Sequence, residues 1–260
     1  MQLSNSVAII TGSSSGIGRA IAIALAKKGC HIAINYSRND SGAKSVAEAC
    51  EQEGVQTLVM RANVAEDADC RALVQATAEK FGQLNILINN AGTTKFCDHP
   101  NLDGLDKEDF LHLYSVNTVG AFQMVRAAEP WLRKQECAHI INMASIAGIT
   151  GVGSSIAYAA SKGAMVTMTM SLARVLGPQI RINAICPGFV QGEWLEQGLG
   201  KENYEAMLAR ARKVAPLNDT ATPERIAETA LGILTGLDWT TGETFIVDGG
   251  SHLQTAPLRR

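Results

Sequence analysis

Along this chain, short apolar runs alternate with longer stretches in which apolar residues recur every three or four positions. Val7–Ile10 precedes Gly16–Lys28, Ile32–Ile34 precedes Gly42–Glu53, Thr57–Met60 precedes Ala68–Phe81, and Ile86–Ile88 follows. The short runs lack polar alternation, so each predicts a strand buried on both faces, and the longer stretches predict the helices that cover them. The rhythm continues with a long helix ending near Arg133, a strand at His139–Met143, a helix from about Ala157 to Leu176 and a strand at Arg181–Ile185. Repeated βα units predict an α/β fold, a doubly wound parallel sheet with helices on both faces. Gly and Pro stand as single punctuation marks and no linker interrupts the pattern, so residues 1–260 read as a single domain.

Two stretches leave this rhythm. An insertion at about 191–214 mixes charges with Trp194, Leu195, Leu199, Tyr204, Met207 and Leu208. It predicts one or two amphipathic helices, either a substrate lid or plain surface helices. Thr94–Lys107 reads as a polar loop after a strand.

Composition narrows the function classes. A chain of 260 residues with 46% hydrophobic content supports a large core. A formal charge of -2 with scattered Lys and Arg leaves no basic footprint for nucleic acid or an anionic membrane, so the expected partners are small molecules or copies of the chain itself. No apolar stretch reaches the roughly 18 residues of a spanning helix, and Met1–Ser6 lacks the charged and apolar regions of a signal peptide, which makes a cytoplasmic location the expectation. The cysteines at 30, 50, 70, 97, 137 and 186 are widely spaced, with no CxxC and no His at ligand spacing; they predict reduced, mostly buried thiols and no metal site.

Candidate chemistry starts with Tyr158 and Lys162, four positions apart and so on one face of a helix, with Ser145 thirteen residues upstream at the end of an apolar run. The trio reads as a proton-transfer site in which the ammonium draws the phenol pKa down from its ordinary value near 10. The Tyr–Lys pair alone is a weak signal, and its company decides. Thr11-Gly12-Ser13-Ser14-Ser15-Gly16-Ile17-Gly18 follows the first strand and opens the first helix. Glycines there allow a sharp turn and close approach to a pyrophosphate, and the helix N-terminus offers unpaired N–H groups. The Lys-Ser/Thr of a nucleotide-hydrolase loop is missing.

At the end of the second strand, Asn35-Tyr36-Ser37-Arg38 carries no carboxylate to repel a ribose 2′-phosphate. Arg38 can pair with one, which predicts NADPH over NADH; an ordinary solvated arginine is the alternative. The fourth strand ends in Asn89-Asn90-Ala91-Gly92, and Asn117 lies in the following helix. An Asn among apolar helix residues needs a specific partner; plain helix packing is the other reading of Asn117.

In order and spacing, Thr11–Gly18, Asn89–Gly92, Asn117, Ser145, Tyr158-x-x-x-Lys162 and Pro187-Gly188 resemble the short-chain dehydrogenases/reductases. The likeness runs from about Val7 to Gly250, with Thr241-Gly242-Glu243 through Val247-Asp248-Gly249-Gly250 in the place of the last strand, and is strongest to the 3-oxoacyl-acyl-carrier-protein reductase and related ketoreductase branch. The resemblance implies a Rossmann-type fold and an NADP(H)-dependent hydride transfer between nicotinamide C4 and a carbonyl or secondary alcohol. It implies Tyr158 as general acid in reduction and base in oxidation, Lys162 on the nicotinamide ribose, Ser145 on the substrate oxygen, and Asn117 anchoring a water of a proton relay. The cofactor residues it implies are Gly12, Ser14, Ser15, Gly16, Ile17, Gly18, Tyr36, Ser37, Arg38, Asn63, Val64, Asn90, Ala91, Gly92, Tyr158, Lys162, Pro187, Gly188 and Val190. Two positions depart from the family: Asn63 stands for its adenine-contacting Asp, and Gly192 for a Thr that touches the carboxamide.

The substrate stays open between acyl thioesters, including those on acyl carrier protein, and sugars, steroid-like alcohols or other ketones; only Lys95, Arg126 and Arg133 suggest a seat for an acidic carrier. Ala159, Ala160, Gly163, Ala164, Met165, Val166, Met168, Met170 and Leu172 leave few polar positions on the Tyr158 helix, which predicts a homo-oligomer, dimer or tetramer, packed through it. A non-catalytic dinucleotide sensor on the same fold is the alternative function, and keeping both Tyr158 and Lys162 argues against it.

Overall fold

A computed structural model describes residues 1–253. The strands are β1 (Val7–Ile10), β2 (His31–Tyr36), β3 (Thr57–Arg61), β4 (Ile86–Asn89), β5 (Ala138–Met143), β6 (Ile180–Pro187) and β7 (Thr244–Val247). They form one parallel sheet in the order β3-β2-β1-β4-β5-β6-β7. The helices are α1 (Gly16–Ala26), α2 (Asp40–Glu51), α3 (Asp67–Phe81), α4 (Lys107–Tyr114), α5 (Gly120–Leu132), α6 (Ala147–Thr150), α7 (Ile156–Leu176), α8 (Glu193–Leu199), α9 (Lys201–Val214) and α10 (Pro223–Gly236).

Strand alternation feeds two cores. Ala8 and Ile10 of β1 face Ile21 and Leu25 of α1, Val46 of α2 and Ile233 of α10. Val7 and Ile9 face the other way, toward Leu73 of α3 and Met124 and Ala128 of α5. All four residues of β1 are fully buried, which is why the run carries no polar residue; each large side chain so buried contributes about 1.5–3 kcal/mol. The strand order reverses between β1 and β4, and a crevice opens at the carboxyl ends of those strands.

The predicted strands are all present, with β3 reaching Arg61 and β6 reaching Pro187. The Thr94–Lys107 loop contains a short 3₁₀ turn at Leu102–Gly104, and α4 starts at Lys107 on a capping box between Asp106 and Asp109. The long helix ending near Arg133 is α4 and α5 joined through a π turn at Ser115–Val119, and Asn117 sits in that turn. The insertion forms two helices, divided at Gly200, whose φ is +78°. Helix α10 went unpredicted, although Thr222-Pro223 is a helix-start signal: Thr222 accepts from Arg225 N and Pro223 opens the first turn. All six cysteines are free thiols and four are buried.

Candidate active site

The glycine turn is built by its neighbours. Gly12 has φ +61°, and a Cβ there would stand 2.9 Å from the Cα of Ala91. A Cβ on Gly18 would meet Asn90 Nδ2 at 2.5 Å and Gly12 O at 2.7 Å, so glycine lets α1 settle onto the turn. Asn90 Nδ2 donates to Thr11 O and Gly12 O at 2.9 and 3.0 Å. Thr11 Oγ1 accepts from the backbone N–H of Asn90 and Ala91 at 3.0 and 2.9 Å. From the other side, Asn35 Oδ1 accepts from Gly12 N at 3.1 Å while its Nδ2 donates to Ala62 O at 3.0 Å. Asn35 thus fixes the turn against β2 and β3, and Thr11 fixes it against β4.

Helix α1 starts without the side-chain cap that several other helices carry. Asn39, Asp106, Ser155 and Thr222 cap α2, α4, α7 and α10 with side-chain oxygens. Ser15 makes no such bond to α1, and the first turn carries no acid. Ser14, Ser15, Gly16 and Ile17 line the crevice, so uncapped N–H groups and the positive dipole end face it. A Cβ on Gly16, at φ +54°, would meet nothing within 4 Å. This cradle fits a dinucleotide pyrophosphate.

The crevice encloses about 2100 Å³ and also takes in Ser37, Arg38, Asn63, Val64, Asn90, Ala91, Gly92, Ser145, Tyr158, Lys162, Pro187, Gly188 and Val190. Of the residues expected to bind cofactor, Tyr36 turns away: its hydroxyl donates to Asp40 at 2.5 Å. Gly18 lies beneath the turn rather than on the crevice wall. Arg19 and Arg61 line the crevice beside Arg38 and escaped the sequence reading; none of the three forms an ion pair among the described residues. The signal for Arg61 was its place at the end of β3, next to the end of β2.

Ser145 follows β5, and Ser155 caps α7 by accepting from Tyr158 N at 3.2 Å, which places Tyr158 in the first turn, one turn before Lys162. Lys162 is 4% exposed. Its Nζ donates to Met143 O at 2.8 Å and lies 5.8 Å from the Tyr158 ring centroid. Burial pushes the Tyr158 phenol up to about 12, opposed by a hydrogen bond with Ser145. Burial pushes the Lys162 amine down to about 8. The expected lowering of the phenol pKa by its lysine neighbour is therefore reversed, because desolvation disfavours both charged forms. Cys186, one of the thiols expected to be buried, is buried near the end of β6, where its thiol is raised to about 11 by burial and held down by Ser145 and Lys162.

Asn117 is fully buried and fully engaged. Oδ1 accepts from Thr93 N at 2.8 Å, and Nδ2 donates to Thr93 O at 3.0 Å and Ser161 Oγ at 2.9 Å. Its side chain is a clamp between the β4 loop and α7 and lies behind the crevice wall. The side-chain amide is thus committed to protein partners. A Cβ on Gly92 would stand 3.3 Å from Asn117 Oδ1 and 3.5 Å from Lys162 Nζ, which locates all three at one corner.

The family model described as enoyl-(acyl carrier protein) reductase matches residues 12–252. The chain belongs to the short-chain dehydrogenase/reductase family. It is 36% identical over 247 residues to a protein named for ketoacyl reduction in the granaticin polyketide synthase of Streptomyces violaceoruber, covering 95% of this chain and 96% of that one. It is 32% identical over 248 residues to the 3-oxoacyl-[acyl-carrier-protein] reductase FabG of Staphylococcus aureus, covering 95% and 98%. A crystal structure from Burkholderia xenovorans assigned to the same family superposes with a TM-score of 0.89 at 39% identity, covering 95% of this chain and 98% of that one. Likeness to 3-oxoacyl-acyl-carrier-protein reductases and an oxidoreductase function on a Rossmann-like fold follow.

Within this short-chain dehydrogenase/reductase, the departures from the family pattern have local explanations. Asn63 Oδ1 accepts from Ala65 N at 3.2 Å and its backbone N–H donates to Asp69 Oδ2 at 2.8 Å, so it shapes the turn after β3 without a charge of its own. Gly192 has φ +154° and donates its N–H to Tyr204 Oη at 3.3 Å. A threonine would be strained there, and the turn instead joins the base of α8 to α9. Trp194, Leu195, Leu199 and Met207 of the insertion line the crevice. The three candidate cations for an acidic carrier are each committed: Lys95 to Asp109 at 2.5 Å, Arg126 to Asp67 at 2.6 Å, and Arg133 to Glu129.

Proposed function

We propose that this protein is an NADP(H)-dependent ketone reductase of the short-chain type, working in the direction of alcohol formation. The observation that carries the proposal is the meeting, at one crevice, of Ser145, Tyr158 and Lys162 with an uncapped glycine-turn helix. A bound reduced nicotinamide supplies the hydride to the carbonyl carbon. Tyr158 transfers its phenol proton to the carbonyl oxygen as the C=O π pair moves onto that oxygen, and Ser145 donates a hydrogen bond to it. A phenol raised to about 12 is protonated at neutral pH, which suits the acid role better than the base role. Lys162, at about 8, holds a proton near neutrality to orient a ribose and restore the phenol. Asn117 fixes Thr93 and Ser161 around that lysine.

NADPH is favoured because Asn35, Tyr36 and Ser37 offer no free carboxylate at the end of β2, where Arg38 and Arg61 line the crevice. Helices α8 and α9 act as the substrate lid. The exposed Phe110, Leu111, Phe122 and Met170 on α4, α5 and α7 form the seat of a homo-oligomer, dimer or tetramer. A cytoplasmic location accords with the reaction, and no helix among the described residues is long and apolar enough to cross a membrane. The test is NADPH oxidation with a panel of ketones. Tyr158→Phe is expected to abolish turnover while NADPH binding survives; binding without turnover of any carbonyl by the native enzyme refutes the reading and favours a dinucleotide sensor.

A further inference from the structure

The ketone-reductase reading leaves the substrate open, and the far wall of the crevice narrows it; the inference rests on that reading. The wall can be followed outward from Tyr158. A Cβ on Gly153 would lie 3.3 Å from Cδ1 of the Tyr158 ring. The Gly153 carbonyl pairs with His99 Nε2 at 3.2 Å, and Cys97 N donates to Ser154 O at 2.9 Å. These bonds hold the loop after β4 alongside Tyr158. Phe96 of that loop stands 6.2 Å from Trp194 of α8, centroid to centroid, at a tilt of 49°. Gly198, one turn on from Trp194, packs so closely that a Cβ would overlap the Phe96 ring at 2.0 Å. Helix α8 is therefore keyed onto Phe96.

Trp194 nonetheless keeps 51% of its surface exposed, Met207 46% and Val152 72%, and all three line the crevice. Apolar surface gathered in a concave site marks an apolar ligand. Charge limits that ligand further. Among the described residues, the cations lining the crevice are Lys162, buried against Met143, and Arg19, Arg38 and Arg61 around the ends of β1 to β3. The charged residues flanking the Phe96–Trp194 pair in sequence and lining the crevice are Asp98 and Glu193. A phosphate-bearing pantetheine arm or a carboxylate would meet like charge there with no cation to pair it.

The geometry points to an uncharged ketone with an apolar, ring-bearing body lodged against the exposed side of the Phe96–Trp194 pair, in preference to acyl thioesters of coenzyme A or of an acidic carrier protein. Steady-state reduction by NADPH of 2-tetralone, a bicyclic uncharged ketone, and of acetoacetyl-CoA tests it. The expected kcat/KM is about tenfold or more higher for the tetralone, and Trp194→Ala is expected to lower the ratio of the two by about tenfold, the effect of losing one aromatic contact of 1–1.5 kcal/mol. The NADPH Kd and the melting temperature report on folding of the variant. Glu193→Lys is expected to raise kcat/KM for acetoacetyl-CoA while leaving it lower for the tetralone or unchanged. A native enzyme that prefers acetoacetyl-CoA, or a ratio unmoved by both substitutions, overturns the inference while leaving ketone reduction standing. Turnover of neither compound nor any other carbonyl overturns ketone reduction itself, and this inference with it.

Discussion

His139 of β5 offers a sharp test of how the core was built. It is fully buried, its Nε2 is 3.0 Å from Asn183 Nδ2, and its Nδ1 has no partner among the described residues. Burial, then the Arg181 guanidinium, then the N-terminal ammonium push its pKa from 6.5 down to about 3. The unfolded chain binds a proton at this residue below pH 6.5 and the folded chain does not until about pH 3. Stability is therefore intact above pH 6.5 and falls through that window by about 1.4 kcal/mol per pH unit, or about 3 kcal/mol between pH 7 and pH 4. That is a large share of the ~5–15 kcal/mol by which a native domain is held. His139→Gln keeps an acceptor for Asn183 and removes the titration. Urea unfolding of both proteins at pH 7, 6, 5 and 4, at one protein concentration, should show the variant weaker by about 1–2 kcal/mol at pH 7 and the gap closing or reversing by pH 4. Parallel loss of stability in the two proteins down to pH 4 would refute the reasoning.

Other outcomes follow from the site. Gly12→Ala forces a side chain into φ +61° and onto Ala91, so we expect a loss of about 1–3 kcal/mol in stability and a raised KM for NADPH, read by melting and steady-state kinetics. Lys162 loses its proton as pH rises through about 8, so kcat/KM for reduction should fall above that pH with one-proton dependence, and Lys162→Met should be inactive across the range. The same depressed amine, charged until 10.5 in the unfolded chain, should make folding more favourable as pH rises from about 8 toward 10.5, by about 3 kcal/mol in urea titrations. Arg38→Asp should shift the NADPH-to-NADH ratio of kcat/KM toward NADH by about tenfold or more, the effect of one charge-assisted hydrogen bond; an unchanged ratio would exclude Arg38 from cofactor choice.

Legibility in the sequence tracked the range of the interactions. The buried strands were readable because parallel strands covered on both sides have nothing to expose, as β1 illustrates. Ser145, Tyr158 and Lys162 were readable from spacing because α7 holds two of them in fixed phase. The direction of the Tyr158 pKa was not, since it depends on how deeply the fold buries the pair, which no spacing encodes. The direction of the Tyr36 hydroxyl was hidden for a similar reason: alternation along β2 puts Asn35 under the glycine turn and leaves the Tyr36 hydroxyl within reach of Asp40. Arg19 and Arg61 belong to segments far from Arg38 in sequence, and only the register of β2 with β3 and the start of α1 bring them to the same rim.

The π turn at Ser115–Val119 carries a further consequence for how this segment can change. Such a turn holds one residue more than a regular helical turn, so trimming a single position there would let α4 and α5 run on as one regular helix with the downstream residues nearly in their present phase. Met124, Val125, Ala128 and Leu132 would then keep their seat on the sheet, but the Asn117 clamp, which lies inside the turn, would miss Thr93. The irregularity is thus the spacer that keeps two phases compatible: the phase that seals α5 against the strands and the phase that points one amide at the corner where Lys162 lies.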